Sequence, residues 1–147
     1  MARLVAVMSL CVAASMPAAA ERSKASLVVS AHVPARAMLR TLQAPREVEL
    51  SAVDLARGWK DVDVCYRVSS NSRDGYLLQF TPRGGVASAI EVDGLPAAVV
   101  VREESVDVHA EGLADGAELA LRLRLRLKRE ALPGRHPLPL LLSVTPI

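Results

Sequence analysis

Hydrophobic and polar residues alternate with a period of two along most of this chain. The longest run is residues 118–128 (ELALRLRLRLK), where five leucines alternate with alanine, arginine and lysine. Shorter runs are SLVVSAHV, REVEL, VDVCYRV, GYLLQFT, AIEV, AAVVV, SVDVH and PLLLSVT. Period-two alternation is typical of β-strands that place one face on a hydrophobic core. The pattern therefore predicts an all-β protein.

Turn-forming residues separate these runs. The stretch SNSRDG contains Asp74 and Gly75, a pair that favours hairpin turns because both residues tolerate positive φ. TPRGG, DGLP, EGLADG and LPGRHP have similar turn chemistry, and the spacing of the turns is typical of a sandwich or barrel. Residues 52–59 (AVDLARGW) predict the only helix, which Gly58 limits to about two turns. We expect one domain with leucine, valine and alanine filling its core.

The leucine run places two different faces on one strand. On one face we expect a continuous core row, formed by Leu119, Leu121, Leu123, Leu125 and Leu127. The opposite face carries Arg122, Arg124 and Arg126, and two interpretations of it stay open. It is either a solvated row paired with acids of neighbouring strands or a binding face for an anionic lipid or glycan. The acids expected as partners are Glu47, Glu49, Glu103, Glu104 and Asp107.

The N-terminus has the pattern of a secretory signal peptide. One arginine precedes an apolar run at residues 4–14, and a small-x-small triplet ends at Ala20. The run is shorter than the ~20 apolar residues that span a bilayer, and no later segment is long and apolar enough. We expect cleavage after residue 20, a β-sandwich domain over residues 21–147, and a periplasmic or extracellular location. The mature domain would be nearly neutral, which argues against nucleic-acid binding.

Residues that carry chemistry are scattered. There is no catalytic, metal-binding or phosphate-loop motif, so we expect no enzyme activity, cofactor or metal. His32, His109 and His136 have no ligand spacing. We interpret Asp54, Asp61 and Asp63 as solvated residues at strand ends rather than as a calcium site. The lone mature cysteine, Cys65, is expected to be a small core residue, with an intermolecular disulfide as the alternative.

Three stretches together resemble exported pilin-like proteins of Gram-negative bacteria, of the kind found in chaperone–usher fimbriae. They are SLVVSAHV after the signal peptide, RVSSNSRDGYLLQF at residues 67–80, and LRLRLKREALPGRHPLPLLLSVTP at residues 123–146. The resemblance implies an immunoglobulin-like sandwich that lacks one strand. A neighbouring subunit would then complete it by β-strand addition. It also implies like subunits and a periplasmic chaperone as partners.

The segment at residues 26–33 is the candidate donor strand. Its alternate residues Leu27, Val29, Ala31 and Val33 would occupy successive pockets of the acceptor. The same residues would also suit the first strand of the domain itself, and both interpretations stay open. A second function is a self-contained periplasmic binding module that uses the arginine row. A third, weaker hypothesis is a chaperone-like sandwich.

Overall fold

The computed structural model describes residues 29–110 and 116–147, which contain ten β-strands and one short helix. The strands are β1 (Ala37–Gln43), β2 (Glu47–Leu50), β3 (Trp59–Ser70), β4 (Tyr76–Pro82), β5 (Ala87–Asp93), β6 (Val99–Val101), β7 (Val106–Ala110), β8 (Ala117–Leu127), β9 (Gly134–Pro137) and β10 (Leu140–Pro146). The helix α1 spans Ala52–Arg57. The all-β prediction is confirmed, and within these residues no helix is long and apolar enough to cross a membrane.

The strands form three antiparallel sheets. The five-stranded sheet has the order β1-β3-β8-β5-β6, the three-stranded sheet the order β10-β4-β7, and the two-stranded sheet pairs β2 with β9. The two longest strands, β3 and β8, pair along most of their length, from Trp59 opposite Arg126 to Val68 opposite Ala117. This register fixes which side chains of the arginine row meet which acids.

All three sheets contribute to one hydrophobic core. The predicted leucine row of β8 is confirmed in its first four members, with Leu119 at 7%, Leu121 at 3%, Leu123 at 1% and Leu125 at 0% exposure, and Leu127 is partly buried. Each buried leucine stabilises the fold by about 1.5–3 kcal/mol, which is an upper figure because the unfolded chain is already partly compact. Strand β8 thus gives four buried leucines to the core, and the neighbouring strand β3 gives four buried apolar side chains as well.

The helix prediction is confirmed, and its ends have clear causes. Ser51 is the N-cap residue: its hydroxyl accepts from the Asp54 N–H at 3.2 Å, and the Asp54 carboxylate accepts from the Ser51 N–H at 3.0 Å. This reciprocal capping box satisfies donors that the first turn leaves free. Gly58 ends the helix in the left-handed region, with φ at 83°, where glycine has no steric cost. Asp54 is therefore a capping residue and not a solvated strand end.

Several expectations were wrong. Residues 29–36 form no strand, and Val29 and Val33 are 79% and 73% exposed. The strand prediction over 26–33 is therefore wrong in its described part, residues 29–33, which pair with no described strand. Strands β1 and β9 were not predicted. The turn at Gly75 joins β3 and β4, which lie in different sheets, so it is not a hairpin turn.

Cys65 was also placed incorrectly. It is partly buried rather than a core residue, because it lies on the face of β3 that points away from the core, opposite Ala120 of β8. Its neighbours along the strand, Val64 and Tyr66, point inward and are buried. The period of two in β3 thus gives the side on which the thiol lies. Cys65 is a free thiol in the structure.

Candidate functional site

The arginine row of β8 is neutralised by acids of the two adjacent strands. Arg122 bonds Asp63 at 3.1 Å, and Arg126 bonds Glu91 at 2.8 Å. Arg124 donates two hydrogen bonds to Asp61, at 2.9 and 3.2 Å. Asp61 and Asp63 are therefore mid-strand ion-pair partners and not strand ends.

The pairing interpretation of the row agrees with this geometry, but the acids named from the sequence were wrong. Glu47 and Glu49 lie in the two-stranded sheet, and Asp107 lies in the three-stranded sheet. Glu103 and Glu104 lie outside the strands, between β6 and β7. The actual partners come from β3 and β5, the strands hydrogen-bonded to β8. Nearest-neighbour pairing on a sheet face decides the partner.

Arg124 is the most constrained of the three arginines. Its guanidinium lies 4.5 Å from the centre of the Trp59 ring, and that of Arg57 lies 4.7 Å from the same ring. The hydrogen bonds from Arg124 hold the pKa of Asp61 below its usual value, although partial burial opposes this shift. The same bonds raise the pKa of Arg124. An incoming anion would have to displace Asp61, so this row is poorly prepared to bind one.

The candidate donor segment lies partly outside the described residues. Leu27 is among the residues that the structure does not describe, whereas Val29, Ala31 and Val33 are exposed and belong to no strand.

The chain that follows the donor segment is fixed by Asn71. The Arg36 N–H donates to the Asn71 side-chain oxygen at 2.6 Å, and the Asn71 side-chain amide donates to the Pro34 carbonyl at 3.1 Å. The Asn71 N–H also donates to the Arg36 carbonyl at 3.1 Å. These three hydrogen bonds hold residues 34–36 against the connection between β3 and β4.

The C-terminal end of β10 meets the same connection. The Ile147 N–H donates to the Gly75 carbonyl at 3.4 Å, and the Ser72 hydroxyl donates to the Ile147 carbonyl. Residues 34–36 and the end of β10 are therefore held by one short stretch, residues 71–75. The donor segment thus joins the domain at the end of the molecule where β10 finishes.

Strand β10 is an edge strand with no protecting feature. Its ladder partner is β4, and no described strand pairs with its other edge. Its sequence LLLSVTP has no charged residue, and its only proline is the last residue. Edge strands are usually protected from pairing with other chains by charges, bulges, internal prolines or short length. Seven uncharged residues with an open backbone edge are suited to accept another strand.

The other described edges each have such a feature. Strand β1 carries Arg40 and a register shift near Thr41, and β6 has three residues. Strand β7 carries Asp107, and the two strands of the small sheet have four residues each. Among these edges, β10 is therefore the long one without a charge or a bulge.

The core is incompletely covered beside β10. Strands β1 and β10 approach each other to Cα distances within 8 Å but share no hydrogen-bonded ladder. Ala37 and Leu39 of β1 and Val144 of β10 pack against the core yet are only partly buried, whereas Leu78 and Phe80 of the adjacent β4 are 0% exposed. We call this approach of β1 and β10, with these three partly buried residues, the β1–β10 seam. Sequence reasoning missed it, because the seam depends on which strands fail to pair.

Titratable groups elsewhere have structural roles. Asp54 accepts from Ser51 and from Lys60, the latter at 3.0 Å. His136 lies 2.8 Å from the Leu132 carbonyl, and His109 lies 3.2 Å from the Asp74 carbonyl. Within residues 29–110 and 116–147, no three His, Cys, Asp or Glu side chains are grouped so as to hold a metal ion.

Comparison with protein-family models, with curated proteins and with solved structures finds no match for this chain. The pilin-like resemblance therefore stays a prediction, and the functional argument depends on the open edge of β10, the seam beside it and the exposed N-terminal segment.

Proposed function

We propose that this protein is an exported, non-enzymatic structural or accessory subunit of a fimbria-like surface appendage. In this proposal the domain is an immunoglobulin-like sandwich that lacks one strand. Residues 26–33 of one copy add to β10 of the next copy, and the partners are like subunits and a periplasmic chaperone. The observation that carries the proposal is the uncharged, unpaired edge of β10 beside a partly uncovered core.

Strand addition at this edge has a clear physical benefit. The added backbone would satisfy the open N–H and C=O groups of β10, and alternate side chains would enter the β1–β10 seam. Val29 and Val33 are 79% and 73% exposed, so their transfer into the seam removes apolar surface from water. Complete burial of each valine contributes at most about 1.5–3 kcal/mol. Leu27 and Ala31 would occupy the same face of the added strand.

The chain direction favours exchange between copies. Residues 34–36 and the end of β10 are fixed to the same stretch, residues 71–75. A segment folding back onto its own β10 would therefore run parallel to it. A segment from a second copy has no such restriction and is free to pair antiparallel, which is slightly more stable per residue.

The donor is tested by a matched pair of variants. The double variant Val29→Glu with Val33→Glu places two charges on the face that enters the seam. We therefore expect this variant of the purified full chain to form no multimers, as measured by size-exclusion chromatography with light scattering. Ser30→Glu with His32→Glu adds the same two glutamates to the opposite face and should keep the multimers. Equal behaviour of the two double variants would refute the assignment of the donor face.

The acceptor is tested in the same way. Val144→Lys puts a charge at a partly buried position of β10 and should block addition, whereas Thr145→Lys, at an exposed position, should not. A mixture of the donor-deficient and Val144→Lys proteins retains one working donor and one working acceptor. We expect this mixture to form dimers that contain one copy of each of the two proteins, and no larger multimers. Multimers that form from the Val144→Lys protein alone would exclude β10 as the acceptor.

A further inference from the structure

A second apolar opening lies at the β7 edge of the three-stranded sheet, which is the edge opposite β10. A cavity of about 760 Å³ extends between β7 and β8 and reaches Leu78 and Leu119, which are 0% and 7% exposed. Its other apolar lining comes mainly from Leu95, Pro96 and Val108. His109 also lines it, but no Phe, Tyr or Trp is among the described lining residues, so the apolar part of the cavity suits aliphatic groups. We call it the β7–β8 cavity.

Two backbone edges border this cavity. Strand β7 pairs with β4 and with no other described strand. Strand β5 pairs with β8 as far as Asp93 opposite Arg122 and then turns away, so residues 117–121 of β8 have a described partner strand on the β3 side only. An alkyl ligand would fill the cavity but leave these edges unpaired. An extended peptide would fill the cavity and pair with an edge.

The strands around the cavity carry acids. Glu118 lines it, Asp107 precedes the lining residue Val108, and Asp93 precedes Gly94 at the other side. Glu118 is paired with Arg67, and Asp93 lies opposite Arg122 of the arginine row. Asp107 leaves a negative charge on the edge strand β7, which favours a partner that carries basic residues beside its apolar segment.

We propose that the β7–β8 cavity is a second strand-addition site, which binds an extended segment of a partner protein with aliphatic residues at alternate positions and a basic flank. This site lies at β7 and the seam lies at β10, the two opposite edges of the same sheet. The two sites do not overlap, so a partner at β7 and a donor at β10 bind at the same time. The proposal does not depend on the function proposed for β10.

A model peptide of about seven residues, with leucine or valine at alternate positions and a lysine at each end, serves as the probe. We expect one peptide to bind per full-length chain in calorimetry. Ala110→Trp fills the cavity from β7 and should weaken binding at least tenfold, whereas Ala89→Trp on β5, which lies outside the cavity lining, should not. Leu95→Asp, outside any strand, should weaken binding without placing a large residue in the sheet.

Charge and location are checked separately. A version of the peptide with glutamate ends should bind more weakly at low salt, and the difference should shrink at high salt. Val144→Lys should leave binding of the peptide to the β7–β8 cavity unchanged, which would show that the peptide does not bind at β10. Absence of binding at millimolar peptide would refute the proposal, and so would binding to the Ala110→Trp and Leu95→Asp variants that is as tight as binding to the unchanged chain. Tight binding of an alkylamine in place of the peptide would refute it as well.

Discussion

Tyr76 is expected to be a residue whose hydroxyl group destabilises the fold. The side chain lies in the core with 2% exposure, and its hydroxyl is the only buried side-chain N or O atom of the described residues without a hydrogen-bond partner. Burial also raises the pKa of Tyr76, so the phenol remains protonated at neutral pH. The change Tyr76→Phe removes this oxygen and keeps the ring.

The expected magnitude follows from the cost of an unpaired buried polar group. Such a group costs about 1–3 kcal/mol, so the variant should gain up to that amount in free energy of unfolding. With a denaturant slope of about 1–3 kcal/mol per molar urea, the urea midpoint should rise by about 1 M. The melting temperature should rise by about 4 °C for each kcal/mol in a domain of this size.

Tyr66 provides the matched control. It is also a core tyrosine, with 9% exposure, but its hydroxyl is not among the buried unpaired atoms. Tyr66→Phe should therefore change stability by no more than about 0.5 kcal/mol. Urea unfolding followed by circular dichroism measures both variants. A Tyr76→Phe protein that is less stable than the wild type would show that the hydroxyl has a partner, and the reasoning would be refuted.

Three further tests, which use five substitutions, concern other parts of the fold. Gly94→Ala should cost about 2 kcal/mol or more in thermal unfolding, because φ is +103° and the new Cβ would lie 2.4 Å from a carbonyl oxygen of β8. Gly84→Ala, where φ is +71° and nothing lies within 4 Å, should cost less. Hydrogen bonds from the N-cap Ser51 and Lys60 lower the pKa of Asp54 from 3.8 to about 2. Ionised Asp54 therefore stabilises the fold fully above pH 3.8, and this stabilisation is lost as the pH falls toward 2. Asp54→Asn should remove this pH dependence from acid-unfolding curves. Arg124→Ala should lower the urea midpoint, because it removes a bidentate pair with Asp61 and a contact with the Trp59 ring. The more exposed Arg122→Ala should cost less than about 0.5 kcal/mol.

Local sequence pattern predicted those elements whose formation depends on their own residues. The alternation in β3 and β8 predicted both strands and the inward leucine row of β8, because side-chain direction alternates along a strand. The helix predicted at residues 52–59 and limited by Gly58 is present as α1, which begins at the predicted residue and ends two residues earlier. Strand β1 (AMLRTLQ) lacks regular alternation and contains a register shift. Strand β9 contains the glycine and one of the two prolines of a predicted turn, and its only described ladder partner is β2.

The functional features were harder to predict because they depend on which strands become neighbours. Arg124 contacts Asp61 because β3, far away in sequence, pairs with β8 in one particular register. The open edge of β10 is defined by the absence of a described partner, and no pattern within LLLSVTP reports that absence. The sequence shows that β10 is uncharged, and the fold shows that it lies at an edge. Because an uncharged central strand needs no protection whereas an uncharged edge strand is open to pairing, the functional argument exists only when the two observations are combined.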